Sequence, residues 1–223
     1  MHYSMPPQPR LGKMLRHACR LTLALAFVFL AAGCAGGSRP AYSIDKYLLS
    51  WPPSVRDEAG TLPASIKFNR FSVAAAYNST DMIFRDDDFG FDSFNYSRWA
   101  VNPGDMLADG IVADMRTGGK FQAVFSRHET GSGRFVVSGG IEEFYLRSEA
   151  GQKKALISVS LAVEDTREKE TDKRLLFQKK YHTEESLREQ SPRGYARAAS
   201  RAAQIISREA ISDIYAAARS RLK

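Results

Sequence analysis

Apolar and polar positions change rhythm several times along this chain, and each rhythm predicts an element. The first is an unbroken apolar run, Leu21 to Cys34 (LTLALAFVFLAAGC), preceded by Arg10, Lys13, Arg16 and Arg20. A membrane-spanning helix needs about 20 apolar residues, and Arg20 stops the run from extending backwards to that length. A basic segment, an apolar stretch of roughly 7–15 residues and then small residues is the pattern of an export signal, here residues 1–33. Residues 34–41 that follow are small, polar and glycine-rich, the composition of a flexible tether. Tyr42 to Leu49 reads as a short strand, ended by Trp51-Pro52-Pro53 because proline cannot donate to a ladder.

From there strand formers and turn residues alternate. Leu62-Pro63-Ala64 leads into a strand over Ser65 to Val73, and Ala74 to Thr80 leaves it. Asp81 to Arg85 and the aromatic stretch Phe89 to Trp99 form a predicted hairpin around Asp86-Asp87-Asp88. Asn102-Pro103-Gly104-Asp105 starts a helix: a capping asparagine, a first-turn proline and an acid that suits the helix dipole. Leu107, Ile111 and Met115, with Ala108 and Val112, give that helix one apolar face, and Gly118-Gly119 ends it.

Phe121 to Phe125 follows as a strand, then a three-strand antiparallel meander. In the first strand of the meander Phe135 and Val137 share one parity while Phe144 and Leu146 share the other, so a bulge is expected near Gly139-Gly140. Ala155, Ile157, Val159, Leu161 and Val163 alternate cleanly in the second, and Leu175, Phe177 and Tyr181 mark the third. The connector Thr166 to Lys173 is charged and reads as a solvated loop, with an electrostatic contact as the alternative. Ser191-Pro192 opens a last helix, striped by Tyr195, Ala198, Ala199, Ala202, Ile205, Ile206, Ala210, Ile214 and Ala218. Its stripe predicts packing onto the sheet, and its arginine-rich outer face has anionic lipid headgroups as an alternative partner. Residues 42–223 are therefore expected to form one α+β domain. The expected sheet is mixed and mostly antiparallel, with two packed helices at about 103–117 and 192–221.

The end of the leader is more specific than its middle. Leu30-Ala31-Ala32-Gly33-Cys34 resembles the lipobox of bacterial lipoproteins, with Ala31 in the place where leucine is usual. Cleavage before Cys34 removes Cys19 and leaves one cysteine in an exported chain, which calls for an explanation such as acylation. The competing reading is ordinary secretion with an incidental cysteine. Ala35 follows the cysteine instead of the aspartate that retains lipoproteins at the inner membrane. The expected location is thus the outer membrane, facing the periplasm, with the inner membrane as the alternative.

Charge changes the picture less than the total of +7 suggests. The leader takes four of the 32 basic residues and none of the 25 acidic ones, leaving 28 against 25, about +3, in some 190 residues. That balance does not support nucleic-acid binding, which needs a concentrated basic face.

Fragments that imitate catalytic motifs lack their context. Asp88-Phe89-Gly90 has no glycine-rich or catalytic loop beside it, and Thr117-Gly118-Gly119-Lys120 closes a helix where a phosphate loop would open one. His128-Glu129 meets Ser132 where a zinc protease needs its second histidine, and consecutive Asp86, Asp87 and Asp88 do not alternate as calcium ligands do. The chain reads as a non-enzyme with no metal site and no cofactor apart from the covalent lipid, palmitate among its acyl chains, on Cys34. What remains is a crowd of aromatics, Phe84, Phe89, Phe91, Phe94, Tyr96 and Trp99, in one hairpin. Either they cover the sheet, or those left exposed mark a partner or lipid contact.

Arg98-Trp99, Asn102 to Leu107 and Gly118 to Phe125 together resemble the ABC-type transport auxiliary lipoproteins that accompany MCE-type lipid transport systems. Tyr42 to Asp45, Arg70 to Asn78, the meander and the last helix fit the same resemblance. It implies a non-catalytic periplasmic part, with an MCE-family protein and its ABC permease and ATPase as partners, a lipid anchor in the membrane, and a homo-oligomer as a compatible assembly. It brings no catalytic residues, and only Cys34 carries over with a defined role. A periplasmic lipid-binding carrier is the alternative. An envelope-polymer hydrolase using His128 or His182 is the outsider.

Overall fold

The computed structural model describes residues 42–53, 60–149 and 151–223. The expected leader, Cys34 and the tether to residue 41 lie outside the described residues. The strands are β1 (Asp45–Tyr47), β2 (Leu62–Phe68), β3 (Ser72–Val73), β4 (Asp81–Arg85), β5 (Asp92–Trp99), β6 (Phe121–Phe125), β7 (Phe135–Glu149), β8 (Gln152–Asp165) and β9 (Leu175–Ser186). The helices are α1 (Pro103–Gly118), α2 (Thr171–Arg174) and α3 (Pro192–Leu222), with a 3-10 turn at Ala75–Tyr77.

Both long helices begin as expected. Asn102 accepts from the Gly104 N–H at 3.0 Å and Ser191 accepts from the Gly194 N–H at 3.0 Å, each satisfying a donor that the first helical turn leaves free. Gly119 ends α1 in the left-handed conformation, at φ 63°. The stripe of α3 is buried against β8, β9 and α1, except that Ile205 sits at its margin while Ala203, Ile211 and Tyr215 lie inside it.

The sheet corrects the expectation of mostly antiparallel strands. The hairpin β4–β5 and the meander β7–β8–β9 are antiparallel as expected. Around them β7 runs parallel to β2, β3 and β4, β2 parallel to β6, and β1 parallel to β5. Alternation tells which face of a strand is buried but not which way its neighbour runs. Parallel neighbours need long crossovers, and the stretch that returns from β2 to its parallel partner β6, α1 included, is one. The strand expected over 65–73 is two strands, β2 and β3, and β2 starts at Leu62. Pro63 is tolerated in it because the β2–β6 register breaks between Leu62 and Ser65.

The bulge in β7 is real but misplaced by the sequence reading. The β7–β8 register shifts between Ile141 and Glu143, so Glu142 is the extra residue and the buried parity passes from Val137 and Ile141 to Phe144 and Leu146. Glu142 accepts from Ser160 and pairs with Lys180 at 2.7 Å. Gly139 has a different task. A β-carbon there would stand 2.7 Å from the Phe71 ring and 2.8 Å from Leu161. The connector after β8 also departs from a plain solvated loop: it holds the one-turn α2, and Arg221 of α3 reaches Glu168 and the Lys173 carbonyl.

The segment after β1 is pinned between both helices. Trp51 Nε1 donates to Asp114 of α1 at 2.8 Å, and the same carboxylate accepts from Ser207 of α3 at 2.6 Å. The indole lies where a Gly110 side chain would be, since a β-carbon there would meet its Cη2 at 2.2 Å. Gly110→Ala is therefore expected to lower stability by about 1–3 kcal/mol through overpacking, despite the helix propensity it gains. In a Trp51→Ala background the same change should instead stabilise by roughly 0.8–1 kcal/mol, because only the propensity remains. Urea midpoints of the four chains check this, and an unchanged sign in the two backgrounds would refute it.

Candidate partner surface

The β4–β5 hairpin is anchored by ladders at its base, while at its tip the contact to β7 is an ion pair between Asp88 and Arg147 at 3.8 Å. At the base Asp81 lies opposite Arg98, joined by an ion pair of 2.9 Å, and β1 covers the outer edge of β5 with Tyr47 opposite Trp99. Towards the tip β4 meets β7 through Phe84–Leu146 and Arg85–Arg147, and residues 86–91 follow without ladder partners.

That tip is nevertheless ordered by its own hydrogen bonds. Asp87 Oδ1 accepts from the N–H groups of Gly90 at 2.7 Å and Phe89 at 2.8 Å, the short-range closure by which aspartate builds turns. These two donors hold the Asp87 carboxyl below the ordinary aspartate range. Arg85 donates to the Asp88 carbonyl, and its guanidinium lies 5.0 Å over the Tyr145 ring, which stacks on Tyr77 at 5.8 Å. Beside the turn is a shallow cavity of about 230 Å³, whose lining includes Arg85, Asp88, Phe89, Tyr145, Arg147 and Glu149.

The six aromatics separate on this scaffold. Phe89 is 99% exposed, Phe91 62% and Tyr96 52%, whereas Trp99 is 1% exposed and belongs to the core. Phe84 and Phe94 are half-buried and pack against each other with ring centroids 5.3 Å apart. The hairpin can thus offer flat apolar rings held on an ordered turn, with a carboxylate and guanidinium cluster beside them.

Residues in the imitated motifs have structural work. Glu129 accepts from the Ser126 N–H at 2.7 Å and Oγ at 2.8 Å and pairs with Arg116, which together bring its carboxyl down to about 2. His128 stands next to it in that turn, while His182 lies on β9, 3.9 Å from both Glu143 and Glu184. Among the described residues no group of three His, Cys, Asp or Glu side chains could hold a metal ion, and no helix is long and apolar enough to cross a membrane. The sequence reading missed the buried Asp114 with its partners Trp51 and Ser207. The signal was present: Asp114 falls three residues after Ile111, on the face otherwise occupied by core residues.

No curated protein matches this chain. Solved structures share its fold. A Xanthomonas campestris protein of the DUF330 family superposes with a TM-score of 0.70 at 14% identity, over 78% of this chain and 97% of its own. An uncharacterised protein superposes with a TM-score of 0.59 at 14% identity, over 77% of this chain and 99% of its own. At such identities the likeness concerns the fold alone. The family model described as "ABC-type transport auxiliary lipoprotein component" matches residues 47–210, from the end of β1 well into α3. That span takes in the hairpin, α1 and the whole meander, and the chain belongs to the family of ABC-type transport auxiliary lipoprotein components.

Proposed function

We propose that this auxiliary lipoprotein docks the conduit of an MCE-type lipid transporter at the outer membrane, facing the periplasm. In this reading Cys34 carries the lipid, the MCE-family protein is the direct partner, and its ABC permease and ATPase supply the energy. The β4–β5 tip is the docking element. The observation that carries the reading is Phe89, a large aromatic side chain 99% exposed on a turn that Asp87 keeps ordered. Leaving such a ring in water is unfavourable, and aromatic residues are enriched where partners bury them.

The test is a Phe89→Ser/Phe91→Ser double variant of the full lipoprotein, co-purified from cells with the MCE protein encoded beside the permease and ATPase. Recovery of the MCE protein is expected to fall about tenfold or more, as for loss of an aromatic hot spot. The thermal midpoint should stay unchanged, because neither ring is in the core. Undiminished recovery would remove the tip from docking. Transport complexes isolated intact but consistently without this protein would remove the role itself.

A further inference from the structure

The second exposed feature of the fold lies at the other end of the hairpin. Between the segment Tyr47–Pro52 and the first half of α3 runs an open groove of about 400 Å³. One wall is apolar, formed by Tyr47, Leu48, Trp51 and Pro52, and the other carries Arg193, Arg197 and Arg201. These arginines are spaced by four residues, so a single helix face presents all three. Arg197 faces Glu189 at 3.3 Å and Arg201 faces Glu185 at 2.8 Å, while Arg193 makes no ion pair among the described residues, so positive charge is in excess along the groove. Hydrogen bonds hold the two walls in place: the Ser50 N–H donates to Ser200 Oγ at 3.0 Å and Gln204 Nε2 donates to the Pro52 carbonyl at 3.4 Å. Leu48 in the apolar wall and Ile44, three residues before Tyr47, are both more than half exposed.

We infer that this groove is the face on which the domain rests on its own membrane, with the arginines on anionic phospholipid headgroups and the apolar wall at the acyl boundary. The inference rests on the anchoring of Cys34 proposed above. Cys34 precedes Ile44 by ten residues, a reach of at most about 35 Å even when fully extended. The apolar wall of the groove is thus the described segment nearest to the anchor along the chain, and the tether is short enough for it to meet the lipid surface. A row of guanidinium groups beside an apolar strip complements an amphiphile with a negatively charged head, and the negative surface potential attracts such a row.

The two tryptophans make the test direct, because Trp99 is in the core and Trp51 lines the groove. The full lipoprotein purified from cells is reconstituted into phosphatidylcholine vesicles with brominated acyl chains, with or without phosphatidylglycerol. Tryptophan quenching is expected with phosphatidylglycerol, and it should be lost in Arg193→Glu/Arg197→Glu and at high salt, which screens the contact. Equal quenching in both lipids, or quenching that the double variant retains, would overturn the inference. The protein's mass reports the anchor separately. A free Cys34 thiol would overturn the anchor alone, and the groove is then read from pelleting with phosphatidylglycerol vesicles. Wild type should pellet and the double variant should not; equal pelleting would overturn the groove too.

Discussion

Trp99→Ala is expected to lower the stability of the domain by about 3–5 kcal/mol, the range for emptying a fully buried aromatic site. Trp99 closes β5 at the point where three elements meet. Its ring packs edge-on against Phe144 of β7 and Tyr195 of α3, each with centroids 5.3 Å apart. Losing it removes burial, two aromatic contacts and the joint between hairpin, long strand and helix at once. Trp99→Phe should be far milder, about 1–2 kcal/mol, for a specific reason. The indole Nε1 is buried without a hydrogen-bond partner among the described residues, so phenylalanine also removes an unsatisfied donor. Urea unfolding followed by circular dichroism gives both values, and near-equal losses for the two variants would contradict this account of the site.

Asp165→Ala is expected to cost about 2–3 kcal/mol, because it removes a buried carboxylate that accepts charge-assisted hydrogen bonds and leaves partly buried guanidinium groups without it. Its buried carboxylate accepts from Arg134 Nη2 at 2.9 Å and Nε at 3.1 Å and from the Arg167 N–H at 3.1 Å, with Arg221 Nε at 3.5 Å. Arg221 belongs to the last turn of α3, so the cluster fastens the end of the helix to the end of β8. Burial alone would raise the carboxyl pKa, but Arg134, the Arg167 N–H and Arg221 outweigh it and hold the value below the ordinary aspartate range. A lowered folded-state value has a defined sign. The stabilisation is complete above the unfolded value of about 3.9 and is lost as pH falls through the folded one. Wild type should therefore lose stability in acid more steeply than Asp165→Ala does. Parallel pH profiles for the two proteins would show that the carboxylate does not carry this linkage.

How much of this was legible in the sequence depends on the range of the interaction involved. Helix starts are legible because capping is local: Asn102 and Ser191 each bond an N–H within three residues. The buried face of β8 is legible for the same reason, as alternation is a property of one strand. Strand direction is not, since β7 finds β2, β3 and β4 across long stretches of chain. Gly139 misleads because its absent side chain makes room for Phe71, a residue far away in sequence, while the extra residue of the bulge is Glu142. The candidate surface shows both sides. A cluster of six aromatics can be seen by inspection, yet Trp99 goes inside because β7 and α3 come to it, and Phe89 stays outside because nothing does.

The parallel pairing of β1 with the last residues of β5 sets a polarity for the domain. The polypeptide enters beside Trp99, and from there β5 carries the hairpin outward over seven residue steps to Asp92, roughly 24 Å at the rise of an extended strand. Arrival and presentation thus occur at opposite ends of one stiff ribbon. Within the domain that ribbon fixes the separation between the point of entry and the aromatic tip.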